Sequence, residues 1–122
     1  MTKETKKKLA KAIIAWCKEK EVWEDCCIYF DGKAWATWED WNGTAGAEIA
    51  EGVFEYTDKN PKTYMEYTNP DTITMSFEGG LYDILNAYAD GWVKLEAEFL
   101  AVFESFNCYY ELGNAWNLSV WE

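Results

Sequence analysis

The stretch that decides the fold is Cys26–Trp38, with the sequence CCIYFDGKAWATW. Its first five residues, Cys26–Phe30, are dense in residues that favour β-strands, and the Asp31-Gly32 pair is a strong signal for a two-residue hairpin turn. The segment Lys33–Trp38 then returns as the second strand. The pattern predicts an antiparallel β-hairpin within residues 25–41.

Upstream of the hairpin, residues 1–20 have the spacing of an amphipathic helix. Leu9, Ile13 and Trp16 fall on one stripe of a helix that runs from Thr2 to about Lys20, and lysines occupy most of the opposite face. We interpret the helix as a cover for the sheet, with solvated lysines. A basic amphipathic helix can also lie on a membrane surface, but the acidity of the remaining chain argues against that alternative.

Downstream of the hairpin, the segment 45–58 is compatible with either a strand or a helix. A helix would align Glu48, Glu51, Glu55 and Asp58 in one stripe, whereas a single strand would place Glu51 and Glu55 on one face. Two glycines weaken the helix, and the aromatic residues near its end favour the strand. We predict a strand, so residues 25–78 form the sheet region.

The second half of the chain supplies two helices and two further strand regions. Thr72–Phe77 alternates as a strand, residues 80–106 carry the apolar stripes of two helices, and residues 108–121 form a hairpin that turns at Gly113-Asn114. The order predicts an α+β fold: an antiparallel β-sheet with the N-terminal helix and the central helices packed on it. No linker is visible, so residues 1–122 are predicted to form a single domain.

Charge is distributed very unevenly along the chain. Residues 1–20 carry a net charge of +5, whereas residues 21–122 carry −16, and the chain contains no arginine and no histidine. An acidic body repels nucleic acid and anionic membranes, and it is steered towards basic surfaces, including the nucleic-acid-binding grooves of other proteins. The alternative is that the acidity serves only solubility.

Several kinds of chemistry lack their usual residues. Without histidine the common catalytic triads and the commonest general acid–base are missing, and without arginine there is no bidentate phosphate clamp. Carboxylate pairs such as Glu39-Asp40 could serve a glycosidase, but 20 acidic residues between positions 21 and 122 produce such pairs by chance. The four cysteines have no metal-ligand spacing and are expected to be buried free thiols, which suits a reducing cytoplasm. We therefore expect no catalytic residues, no metal and no cofactor.

The remaining candidate site is a set of aromatic rings beside carboxylates. Negative charges with flanking rings offer steering and stacking to a surface rich in lysine and arginine, and such a row could imitate a nucleic-acid backbone. A solvated acidic face is the alternative. The predicted partner-binding residues are Trp38, Glu39, Asp40, Trp41, Glu48, Glu51, Glu55 and Asp58.

Two segments of the second half resemble a known group of proteins. Ser76-Phe77-Glu78-Gly79, with Leu81-Tyr82 and Leu85-Asn86, and the stretch Tyr109–Asn117 are similar to segments of small acidic proteins carried by phages and mobile elements of Gram-positive bacteria. The resemblance implies an inhibitor of host defence, of the anti-CRISPR kind. It implies no site residues.

Two functions are compatible with these observations. The first is a phage-type inhibitor, acting in the cytoplasm of a host bacterium, that binds the basic nucleic-acid-contacting surface of a defence nuclease. It would make no direct contact with nucleic acid or membrane. The second is a non-enzymatic module that self-associates through exposed rings, for which Trp35, Trp38 and Trp121 are candidates and a homodimer is the simplest product.

Overall fold

The computed structural model describes all 122 residues, which form three α-helices and nine β-strands. The helices are α1 (Lys3–Glu19), α2 (Gly80–Leu85) and α3 (Trp92–Glu104), and Pro61–Thr63 forms one 3₁₀ turn. The strands are β1 (Cys26–Phe30), β2 (Lys33–Ala36), β3 (Asp40–Trp41), β4 (Thr44–Ala45), β5 (Ala47–Ala50), β6 (Val53–Tyr56), β7 (Thr74–Phe77), β8 (Tyr109–Asn114) and β9 (Asn117–Trp121).

Seven of the strands form one antiparallel sheet in the order β5-β6-β2-β1-β7-β9-β8. Strands β3 and β4 pair separately as a short hairpin. The predicted α+β class, with an N-terminal helix and central helices packed on an antiparallel sheet, is confirmed.

The predicted hairpin lies at the centre of this sheet. Strands β1 and β2 pair in register from Cys27 with Ala36 to Phe30 with Lys33. Between them Asp31 (φ 51°) and Gly32 (φ 76°) both adopt left-handed backbone angles, which is the geometry of the two-residue turn that matches the twist of the strands. Every residue of β1 is buried, because both faces of the central strand are covered.

The helices cover one face of the sheet. Cys26, Ile28 and Phe30 of β1 point towards this face, where they join a core of 23 buried residues that includes Ile13 of α1 and Phe99 of α3. Thr2 caps the start of α1 by accepting a hydrogen bond from the Thr5 amide at 3.1 Å.

The opposite face of the sheet is covered by loops instead of helices. Cys27 and Tyr29 of β1 point to this side and form a second buried cluster with Phe54, Tyr56 and Met65, among others. The β3–β4 hairpin contributes Trp41 to it, and the 3₁₀ turn leads into Met65. We call this side of the sheet the loop-covered face.

The segment 45–58 is not the single strand that the sequence predicted. It contains two antiparallel strands, β5 and β6, that turn at Glu51-Gly52. Gly52 has φ 69°, a conformation that glycine adopts without the steric cost paid by other residues. This glycine therefore reverses the chain instead of merely weakening a helix.

Two other predicted boundaries also differ. The C-terminal hairpin turns at Ala115-Trp116, two residues later than predicted, because side-chain oxygens of Asn114 and Asn117 accept amide hydrogen bonds that close the turn there. Strand β2 ends at Ala36 instead of Trp38, so Trp38 lies in the connection to β3.

Candidate functional site

The segment Trp38–Trp41 lies on the loop-covered face of the sheet. The Trp41 ring is half-buried among aromatic neighbours, with centroids 5.1 Å from Tyr56, 5.3 Å from Tyr64, 5.3 Å from Trp38 and 6.2 Å from Tyr29. Tyr56 donates a hydrogen bond from its hydroxyl to the Trp38 carbonyl at 2.8 Å. These contacts anchor the short β3–β4 hairpin to the sheet and leave Glu39 and Asp40 exposed beside it.

The aromatic cluster already holds a cation of its own. The Lys59 ammonium lies 4.2 Å from the Trp41 ring centroid, and it is 6.0 Å from the Tyr56 and Tyr64 centroids. Asp58, the neighbour of this lysine, is exposed. Trp41, which was predicted to stack on a cation of the partner, thus already contacts the Lys59 ammonium of the same protein. The sequence did not indicate this contact.

Negative charge is concentrated near the Tyr56 hydroxyl. Burial raises the pKa of Tyr56, and the carboxylates of Asp40 and, more weakly, Glu39 raise it further. Both carboxylates belong to the Trp38–Trp41 segment, whose Trp38 carbonyl accepts the hydrogen bond of the Tyr56 hydroxyl.

The three glutamates of the β5–β6 hairpin do not share one surface. Glu55 pairs with Trp35, a member of the helix-side core, and its carboxylate accepts a hydrogen bond from the Trp35 indole at 2.9 Å. Glu48 pairs with Phe54, which belongs to the loop-covered face. Glu51 lies in the turn, where its carbonyl accepts a hydrogen bond from the Lys18 ammonium at 2.6 Å.

The eight predicted residues are therefore divided between the two faces. Six of them lie on or beside the loop-covered face: Trp38, Glu39, Asp40, Trp41, Glu48 and Asp58. Glu55 faces the helix side, and a lysine of α1 reaches Glu51 at the turn. None of the six predicted carboxylates forms an ion pair, so their negative charge is not neutralised by direct contact.

A large cleft lies between α1 and the β5–β6 hairpin, and we call it the α1–β5 cleft. It has a volume of about 560 Å³. Three lysines of α1 and one glutamate provide its charged groups: Lys7, Lys11, Lys18 and Glu55. Its apolar lining includes Ile14, Trp35, Ile49 and Val53. These lysines, predicted to be solvated, line a cleft that the sequence does not indicate, because no local pattern shows which strands α1 covers.

The cysteines are poorly suited to chemistry. All four thiols are buried and unpaired. Burial raises the pKa of Cys17, Cys27 and Cys108, and it raises the pKa of Cys26 to about 12. Thiolate, the reactive form, is therefore scarce at neutral pH. No group of three or more cysteine, aspartate or glutamate side chains is arranged to hold a metal ion.

None of the three α-helices has both the length and the apolar character needed to cross a lipid bilayer. Comparison with known protein families, with curated proteins and with solved structures found no match. The resemblance of the second half of the chain to small acidic phage proteins therefore stays a prediction.

Proposed function

We propose that the protein is a phage-type inhibitor that uses the loop-covered face to bind a basic protein surface. The best candidate for that surface is the nucleic-acid-contacting groove of a host defence nuclease, such as a CRISPR effector, in the bacterial cytoplasm. One observation carries the proposal: Glu39, Asp40, Glu48 and Asp58 are exposed on or beside this face and none of them has an ion-pair partner.

The division of charge within the fold supports this choice of face. Seven of the eleven lysines lie in residues 1–20, and α1 packs on the opposite side of the sheet. Exposed charges interact weakly in water, by about 1 kcal/mol for a pair at 4 Å. Several of them together raise the association rate with a basic groove and make binding sensitive to salt.

The proposed surface is smaller than the continuous row expected from the sequence. Glu51 and Glu55 lie near the lysines of α1, so they contribute little to the field over the loop-covered face. The proposal therefore rests on the β3–β4 hairpin and Asp58, with Glu48 at the margin, and the half-buried rings of Trp38 and Trp41 supply apolar contact area.

The test compares two triple variants that remove the same charge. In the first, Glu39→Gln, Asp40→Asn and Asp58→Asn neutralise the proposed surface and keep side-chain shape. The matched control neutralises three exposed acids of the α2–α3 region, on the other side of the sheet: Asp83→Asn, Asp90→Asn and Glu104→Gln. Inhibition of DNA cleavage is measured on a panel of CRISPR nucleases at increasing ionic strength.

We expect the first triple variant to lose about tenfold in inhibitory potency and the control to lose much less. The reason is that each exposed charge contacting a partner contributes roughly 0.2–1 kcal/mol to binding. Inhibition by the wild-type protein should weaken as salt rises. Equal losses in the two variants, or inhibition that does not change with salt, would contradict recognition by this face.

Self-association is a second candidate, and the free sheet edge at β8 favours it. Tyr109 of β8 pairs with Trp121 of β9, and these two side chains and Leu112 are each exposed by 40–44%. An exposed apolar edge strand is a template for pairing with another chain. Trp35 cannot contribute, since it is 2% exposed. Light scattering of the wild-type protein and of Leu112→Lys decides this candidate: a dimer that the substitution dissociates supports it, and a monomeric wild type removes it.

A further inference from the structure

We propose that the α1–β5 cleft binds a small amphipathic anion: an apolar chain that ends in a carboxylate or a phosphate. This site uses the helix side of the sheet, so it is independent of the proposed inhibitory surface. Its volume of about 560 Å³ lies within the range of natural small-molecule pockets, roughly 300–1,000 Å³.

The charge of the cleft is opposite to that of the rest of the body. The chain has twice as many acidic residues as lysines, yet none of the three lysines that line the cleft forms an ion pair. Lys7 and Lys11 make no hydrogen bond to any other side chain, and Lys18 contacts only a backbone carbonyl. Three lysines therefore line the cleft, with a single carboxylate, that of Glu55, to oppose their charge.

That single carboxylate is already engaged. Glu55 accepts the indole hydrogen bond of Trp35, which holds it against the wall of the cleft. The ammonium groups remain available to an anionic head group, and their arrangement on one side of α1 follows from the helical spacing of positions 7, 11 and 18.

The apolar lining suits a hydrocarbon tail. Ile14, Trp35 and Val53 form the closely packed floor of the cleft, at 2–6% exposure. The accessible apolar surface comes from Ala15, Ile49 and Ala50, which are exposed. Ile49, at 45% exposure, stands at the mouth, where all four residues of the edge strand β5 are exposed. A ligand whose hydrocarbon tail enters past β5 would cover Ile49 and place its anionic end near the lysines. Binding would remove apolar surface from water and pair the lysine charges with the anion.

Calorimetric titration tests this site with defined probes below their micelle-forming concentrations. Dodecanoate and dodecyl phosphate are the anionic probes, and the two head groups distinguish a carboxylate from a phosphate ligand. Decanol and dodecyltrimethylammonium serve as neutral and cationic comparisons. We expect saturable binding of at least one anionic probe with one site per chain, and much weaker binding of the two comparisons.

Substitutions on α1 provide a matched control. The variant Lys7→Gln with Lys11→Gln removes two charges from the cleft, whereas Lys3→Gln with Lys8→Gln removes two charges from the same helix outside it. Anion affinity should fall by about fivefold in the first variant and remain near wild type in the second. Ala15→Phe, at an exposed position that lines the cleft, should block the tail without disturbing the core.

The proposal is overturned if neither anion binds at millimolar concentration, if decanol or the cationic probe binds as tightly as the anions, or if the two lysine variants lose affinity equally. Circular dichroism of each variant establishes that the fold is retained. Because nuclease inhibition is measured at another face, failure of this site leaves the proposed function intact, and the reverse also holds.

Discussion

Replacing Lys59 with methionine tests whether a cation stabilises the aromatic cluster of the loop-covered face. The substitution keeps an unbranched apolar side chain and removes only the ammonium group that lies 4.2 Å from the Trp41 ring centroid. Cation–π contacts contribute about 0.5–1 kcal/mol at exposed sites and ~2 kcal/mol when they are desolvated. Lys59 is half-buried and has two further rings at 6.0 Å, so we expect a loss of about 1 kcal/mol.

Thermal unfolding measures this loss. With an unfolding entropy near 2.1 cal/mol/K per residue, a change of 1 kcal/mol shifts the Tm of a chain of this length by about 4 °C. Lys62→Met is the matched control, because Lys62 lies in the same connection, is exposed and contacts no ring. A Tm for Lys59→Met no lower than that of the control would refute the reasoning, since it would show that the ammonium adds nothing to ring packing.

Three further predictions concern the same fold. Lys6 and Asp31 form an ion pair with side-chain exposures of 10% and 15%, and this pair joins α1 to the central hairpin turn. A double-mutant cycle with Lys6→Met and Asp31→Asn, measured by denaturant unfolding, should give a coupling energy of about 1–3 kcal/mol. No measurable coupling would mean that the pair is only a surface contact. A Cβ added at Gly46 would lie 2.7 Å from the Tyr56 ring. Because overpacking destabilises a core, Gly46→Ala should lower the unfolding free energy by about 1–3 kcal/mol. An unchanged midpoint of urea unfolding would contradict this prediction. Burial raises the pKa of Cys26 from 9.0 to about 12, so between these values the unfolded thiol ionises while the folded one stays protonated. The unfolding free energy should therefore be unaffected below pH 9 and fall as the pH rises towards 12. The decline should be shallower in Cys26→Ala. An unfolding free energy that does not change with pH across that window would contradict the raised pKa of Cys26.

The candidate site could be predicted only in part. The rings and carboxylates at positions 38–41 are neighbours in sequence, and the structure keeps them together on the loop-covered face. Glu48 and Glu55 separate because the chain reverses at Gly52 and because neighbouring positions on a strand point to opposite faces. The cation of Lys59 could not be foreseen, since its position over Trp41 depends on a loop that returns across the sheet.

What the sequence determined by itself is local. The strands and turn of the central hairpin follow from β-forming residues around Asp31-Gly32, the cover helix from apolar spacing in residues 3–19, and the α+β class from the order of these elements. The tertiary structure alone decided which surfaces meet. Packing of α1 beside the β5–β6 hairpin gathers Lys7, Lys11 and Lys18 around an apolar cleft, although their periodicity indicates only a solvated face. The physical reason is that hydrophobic periodicity shows which side of an element is buried, whereas the partner of that side is selected by shape and by the register of distant strands.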